Sequence, residues 1–340
     1  MKALFRLALA MPLIACLSAC TGVKETLFDL GLKGERALSS LNRHELDAAG
    51  HHWVYLDSGT PDAPVLLLLH GFAVDKDNWL RFARDFSDYR VIAPDLPGHG
   101  ESSFDPAQTY DFAHQAQWLD AFVQALDLKQ PLHVMGNSMG GGIALMFAAQ
   151  HPQQVASVTL FDAAGVYPPK ASDFQTIIDQ GLPNPLVVTS TADYDALREF
   201  AMVQQPFLPW PASDVLAARA IARNSINTRI FSDIHNAAEA ARGSGDNLQL
   251  LQQVTQPVLI VWGEKDRVLD VSSVGVFSQY LPHSQSHVFP DVGHAPMLEV
   301  PQQSADLVRG FLSDLKMGGL KVGGLNTQTA AHAAAVSQTE

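Results

Sequence analysis

Short apolar runs recur along the chain and alternate with stretches of helical periodicity. Residues 65–69 are apolar throughout and lie between Pro64 and Gly71, which predicts a strand covered on both faces. Similar runs occur at 90–93, 132–135, 158–161, 258–262 and 287–289, and residues 53–56 read as an early strand. Between them, Phe112, Leu119, Phe122, Val123 and Leu126 fall close to one face of a helix, and residues 139–149 and 305–315 supply two more. This alternation predicts an α/β fold, a mostly parallel central sheet flanked by helices.

Nearly a hundred residues separate the run ending at Phe161 from the one starting at Val258, too many for an ordinary crossover. An inserted element is therefore expected, with helices at 194–203 and 213–224 and breaks at Pro183, Pro185, Pro206, Pro209 and Pro211. The implied division is a core of residues 51–165 and 248–316 with a helical cap, 166–247, placed between the sixth and seventh strands. Residues 20–50 read as a tether with short helices, since Leu27, Leu30, Leu38 and Leu41 are interrupted by Gly31 and Gly34. The end, 317–340, is rich in small and polar residues and is expected to be loosely ordered. At the start, Lys2 and Arg6 flank an apolar stretch, 7–17, that ends in Ser18 and Ala19, the layout of a signal peptide over 1–19. That stretch falls well short of the roughly 20 apolar residues a membrane-spanning helix needs.

Composition narrows the function. With 47% hydrophobic and 17% charged residues the chain can bury a large core. Its balance of 22 basic against 35 acidic residues, −13, repels phosphate backbones, so no nucleic-acid partner is expected. Loss of residues 1–19 would remove two of the bases and leave −15. The two cysteines, Cys16 and Cys20, both lie near the start and cannot staple the fold.

The chemistry centres on Gly136-Asn137-Ser138-Met139-Gly140, a G-x-S-x-G pattern lying between a predicted strand and a predicted helix. A sharp turn there would expose Ser138 as a nucleophile, and side chains two residues to either side would collide. Serine needs a base and an orienting acid, expected later in the chain in the order acid, then histidine. Asp266 follows the strand 258–262 and His294 follows the next one, which puts both at the sheet edge where open α/β folds bind ligands. Asp162, after the strand 158–161, competes for the acid role, and Glu264 is a weaker contender. The loop His70-Gly71-Phe72 would supply one oxyanion donor, the N–H of Phe72, and Met139 the other. His70 itself, and the turn Asp95-Leu96-Pro97-Gly98-His99-Gly100, read as scaffold. Metal and dinucleotide motifs are absent, so the reading needs no cofactor and no metal.

Together His70-Gly71-Phe72, Asp95 to Gly100, Gly136 to Gly142, Asp266 and Gly293-His294 resemble the α/β-hydrolase superfamily in its chain order. Asp75-Lys76-Asp77-Asn78-Trp79 and Asn184-Pro185-Leu186 are similar to family V bacterial lipases and esterases. The resemblance implies an α/β-hydrolase fold and cleavage of acyl esters through Ser138, His294 and Asp266 with an acyl-enzyme, the cap lining the acyl site with Phe207, Leu208 and Trp210. Hydrolases that cleave carbon–carbon bonds of ring-fission products share the Gly-Asn-Ser-Met-Gly-Gly elbow and supply the alternative; a noncatalytic lipoprotein is a third reading. Leu17-Ser18-Ala19-Cys20 resembles a bacterial lipobox, which implies lipidation of Cys20, attachment to a membrane and an envelope location. By the same resemblance, Thr21 in place of Asp points to the outer membrane.

Overall fold

The computed structural model describes residues 22–318. The expected signal segment, Cys20 with its expected lipidation, and all but the first two residues of the expected loose tail lie outside that range. Eight strands form one sheet: β1 (Asn42–Ala48), β2 (His51–Asp57), β3 (Val65–Leu69), β4 (Arg90–Pro94), β5 (Leu132–Asn137), β6 (Val155–Phe161), β7 (Val258–Gly263) and β8 (Ser284–Phe289). Their order is β1-β2-β4-β3-β5-β6-β7-β8. The first three neighbours pair antiparallel and every later pair is parallel.

The continuous apolar runs are the strands buried on both faces. In β3, Val65, Leu67 and Leu69 enter one core and Leu66 and Leu68 the other, because side chains alternate across a pleated strand. Each such leucine, fully buried, contributes about 1.5–3 kcal/mol. One core is closed by α3 (Phe112–Ala125), α4 (Met139–Gln150) and α10 (Ser273–Tyr280), and the other by α2 (Leu80–Ala83), α11 (Pro296–Glu299) and α12 (Pro301–Lys316).

The expected tether is instead ordered structure. Residues 22–38 form one helix, α1, and residues 42–48 form the edge strand β1. Ala48 pairs with His51 across the two-residue turn Ala49-Gly50, both at positive φ (51° and 76°), as a right-twisted hairpin requires. Isolated glycines in α1 cost helix stability without ending it. Between β6 and β7 the chain forms α5 (Asp173–Asp179), α6 (Thr191–Ala201), α7 (Ala212–Ala222), α8 (Asn224–Ser244) and α9 (Asp246–Leu251). Helix α9 straddles the expected cap boundary at 247/248.

Candidate active site

The turn between β5 and α4 holds Ser138 at φ 53°, ψ −118°, a conformation that a non-glycine residue adopts at a cost and that the surroundings must enforce. They do so through four backbone bonds. Ser138 N–H donates to Phe161 O at 3.0 Å, and Ser138 O accepts from Gly141, Gly142 and Ala164 at 3.0, 3.3 and 3.0 Å. The flanking glycines are demanded by contact: a Cβ on Gly136 would lie 2.2 Å from Gly140 O, and one on Gly140 2.3 Å from Leu69 O. The helix can therefore start directly against the end of β3.

That approach brings in the loop after β3. A Cβ on Gly71 would lie 3.4 Å from Ser138 Cβ, so the Gly71-Phe72 backbone faces the serine. His70 is fully buried, its Nδ1 2.8 Å from Gly71 O, while Leu96 N–H donates to its Nε2 at 3.0 Å. With Nε2 accepting, Nδ1 carries the proton and donates to the Gly71 carbonyl, which fixes the peptide whose N–H belongs to Phe72. Burial pushes the His70 pKa down to about 4, so the ring stays neutral at neutral pH. Met139 opens α4, where the amide has no acceptor within the helix.

Asp266 and His294 meet from the loops after β7 and β8. His294 Nδ1 and Asp266 Oδ2 are 2.8 Å apart, and Asp266 Oδ1 accepts the N–H groups of Val268 and Leu269 at 2.7 and 3.0 Å. Asn137, beside the serine, donates from Nδ2 to His294 O at 3.0 Å and so ties the elbow to the histidine loop. Asp162 lies in the same cluster: one carboxylate oxygen each from Asp162 and Asp266 and a ring nitrogen of His294 lie within 4.8 Å of one another. Among the described residues this trio has cation-ligand spacing, but His294 Nδ1 is already engaged by Asp266. Glu264 points elsewhere, half-exposed and 3.1 Å from Lys265 Nζ.

Three features were not foreseen. Glu299 of α11 is buried and accepts backbone N–H groups from Gly293, Ala295, Val203 and Gln204, joining the His294 loop to the end of α6. Lys76, in the loop after β3, is 1% exposed; its Nζ lies 2.7 Å from Asp95 and 2.8 Å from Glu101. The Asp-Lys-Asp run signals such a network only once the fold brings Asp95 to it. Third, the cap meets the loop after β3 through aromatic rings. Phe231 of α8 packs 6.0 Å from Phe72, 5.9 Å from Phe174 and 5.8 Å from His235. Of the residues expected to line an acyl site, Phe207 and Trp210 are 78% and 68% exposed and Leu208 is half-buried. Their segment is held by its backbone, with Arg81 donating to Phe207 O at 3.0 Å.

The model of the alpha/beta hydrolase fold matches residues 64–200 and 230–301, which include Phe72, Ser138, Met139, Asp162, Asp266, His294 and Glu299. The chain belongs to the α/β-hydrolase fold family. Within that family it is 32% identical to Lipase 1 of Psychrobacter immobilis, over 92% of this chain and 97% of the relative. It is 29% identical to a monoacylglycerol lipase of Xenopus laevis over 78% of this chain and 80% of the relative. Among solved structures, a membrane phospholipase A described as a bacterial virulence factor superposes with a TM-score of 0.82 at 38% identity, covering 93% of this chain and 99% of that one. The gap between the two matched segments, 201–229, holds α7 and the exposed Phe207 and Trp210.

Proposed function

We propose that this α/β-hydrolase is a serine-type carboxylic ester hydrolase acting on lipid acyl esters. The observation that carries the reading is the 2.8 Å bond between His294 Nδ1 and Asp266, at the sheet edge to which Asn137 ties the strained Ser138 turn. Asp266 holds the imidazole with Nδ1 protonated, leaving Nε2 free to take the Ser138 proton. The serine oxygen attacks the ester carbonyl, and the Phe72 and Met139 amides receive the charge that develops on its oxygen. The alcohol departs with the proton from His294; water, deprotonated by the same ring, then releases the acid and restores Ser138. The relatives named as lipases, a monoacylglycerol lipase and a phospholipase support an acylglycerol or phospholipid substrate class.

Replacing Ser138 with Ala should abolish turnover of a short p-nitrophenyl ester and labelling by a fluorophosphonate while leaving the melting curve in place; retained turnover would reject the assignment. A parallel assay on a ring-fission diketone separates this reading from carbon–carbon hydrolysis, since only the former leaves the diketone untouched. The rings of Phe72, Phe231 and Phe174 form the acyl wall in this reading, so Phe231→Ala should raise KM for long-chain esters more than for short ones.

The same proposal places the protein in the bacterial envelope, held at a membrane by acyl chains on Cys20. No helix among the described residues is long and apolar enough to cross a membrane. Helix α1, starting just after that cysteine, instead shows a stripe of exposed apolar residues, Val23, Leu27, Leu30 and Leu38, at helical spacing. Such a face lies favourably in the interface of a bilayer to which the chain is already attached. Metabolic labelling with an alkynyl fatty acid should mark the wild type and not Cys20→Ala, which should also move the activity from membranes to the soluble fraction.

A further inference from the structure

Two carboxyl groups face His294, and their surroundings differ. Asp266 is furnished for a negative charge: one oxygen accepts two backbone N–H groups and the other meets the imidazole. Asp162 is not. It is fully buried at the end of β6, held at φ 43°, and its Oδ1 accepts a single N–H, that of Gly263, at 2.9 Å. Its Oδ2 is buried with no hydrogen-bond donor. A buried carboxylate oxygen without a donor is costly, whereas a protonated one can itself donate. The charged groups that bear on it are Asp266 and, more weakly, Glu299, both negative, while His294 completes the cluster. Burial first, and then the charge of Asp266, push the Asp162 carboxyl well above the ordinary carboxylate range.

We propose that Asp162 and Asp266 form a carboxyl pair that shares one proton, held on Asp162, and that Asp162 is a positioning residue standing in reserve for the anion that orients His294. This rests on the triad reading above. While Asp266 is present it carries the pair's single negative charge and Asp162 stays neutral. When Asp266 loses its carboxylate, one of the two causes that keep the proton on Asp162 disappears and burial remains. Asp162 then releases that proton to solvent as the pH rises and supplies the anion from within the same cluster.

The experiment compares Asp266→Asn, Asp162→Asn and the double variant in ester turnover across pH, each checked for a native melting curve. Where no second acid stands by, an amide in place of the orienting acid costs about 10⁴-fold in kcat. Asp266→Asn alone should retain activity at least about tenfold above the double variant, with the acid limb of kcat/KM moved to higher pH because Asp162 must now ionise. In the double variant that added ionisation should be gone. Equal rates and identical pH profiles for Asp266→Asn and the double variant would overturn the proposal. Infrared spectra of aspartate-labelled Ser138→Ala protein give a test that needs no turnover: a protonated carboxyl band at neutral pH should be present and should vanish on adding Asp162→Asn. Absence of that band at neutral pH would also overturn it. Full activity in Ser138→Ala would instead reject the triad reading itself, whatever the aspartate variants do.

Discussion

Replacing Glu299 with Ala tests whether the loop carrying His294 is held from beneath by one carboxylate. Its Oε1 lies 2.9 Å from Gly293 N and 3.3 Å from Ala295 N; its Oε2 lies 3.0 Å from Gly293 N and 2.8 Å from both Val203 N and Gln204 N. Truncation leaves the Gly293 and Ala295 donors buried and unpaired at about 1–3 kcal/mol each, and the two partly buried donors at about 1 kcal/mol each. The expected loss is therefore about 4 kcal/mol or more, a large share of the stability of an ordinary domain. Glu299→Gln keeps one acceptor oxygen and should lose roughly half as much. Because His294 N–H is itself bonded to Ala201 O at 2.7 Å, the loop and the end of α6 would shift together. Misplacement of a catalytic group by about 1 Å costs on the order of 10²-fold, so kcat should fall well over tenfold with KM little changed. Urea unfolding followed by tryptophan fluorescence gives the stability, and p-nitrophenyl butyrate turnover at low temperature gives the rate. An Ala variant within about 1 kcal/mol of wild type and with unaltered kcat would refute the reasoning.

Other substitutions follow from contacts described above. Gly140→Ala puts a methyl 2.3 Å from Leu69 O and 2.5 Å from His70 O, so about 3 kcal/mol or more should be lost, seen as a depressed melting temperature together with lost turnover. Gly31→Ala, with nothing within 4 Å, should instead stabilise α1 by up to about 1 kcal/mol and leave activity intact. Lys76→Met strands the buried Asp95 carboxylate and should cost about 3–5 kcal/mol in urea unfolding, part of it recovered when Asp95→Asn is added. Stability should also fall on acidification. His70 and His133 are pushed down to about 4 and His99 well down, each by burial first, whereas the unfolded chain takes up these protons near pH 6.5. Their contribution is complete above about pH 6.5 and is lost as pH falls towards 4, roughly 3 kcal/mol for His70 alone; urea midpoints that stay level between pH 7 and 5 would contradict this.

The parts of the fold that can be read from the chain are those whose cause is local. The run 65–69 must be a two-sided strand whatever surrounds it, and the elbow follows from glycines two residues either side of Ser138. Strand β1 could not be read this way, because Asn42–Ala48 lies at the sheet edge, mostly exposed, and shows no apolar alternation; its partner β2 makes it a strand. The exposure of Phe207 and Trp210 could not be read for the opposite reason: apolar residues are not always inside, and a proline-flanked aromatic carries no local signal for which way it turns. The chain order favours Asp266 over Asp162 but leaves Asp162 as a competitor. Both follow strands at one sheet edge; the 2.8 Å bond from Asp266 to His294 Nδ1 and the two N–H groups that Asp266 accepts, against one for Asp162, distinguish them in space. Glu299 sits five residues past His294 with no motif around it; its importance arises from a carboxylate meeting two separate segments in space.

Helix α1 acts as a strap with unequal ends. Near its C-terminal end Arg36 grips Asp77 of the core with two bonds of 2.7 and 2.6 Å in a half-buried setting, and Glu35 pairs with Arg84. Towards its N-terminal end Lys24 reaches Asp214 at 2.6 Å, while Glu25 and Asp29 hold Arg219; Asp214 and Arg219 both lie on α7, and all three pairs are exposed. Exposed pairs of this kind are worth about 0–1 kcal/mol and weaken with salt. The strap is thus riveted to the body and only latched to α7, and the latch is one that ionic strength can slacken without touching the rivet.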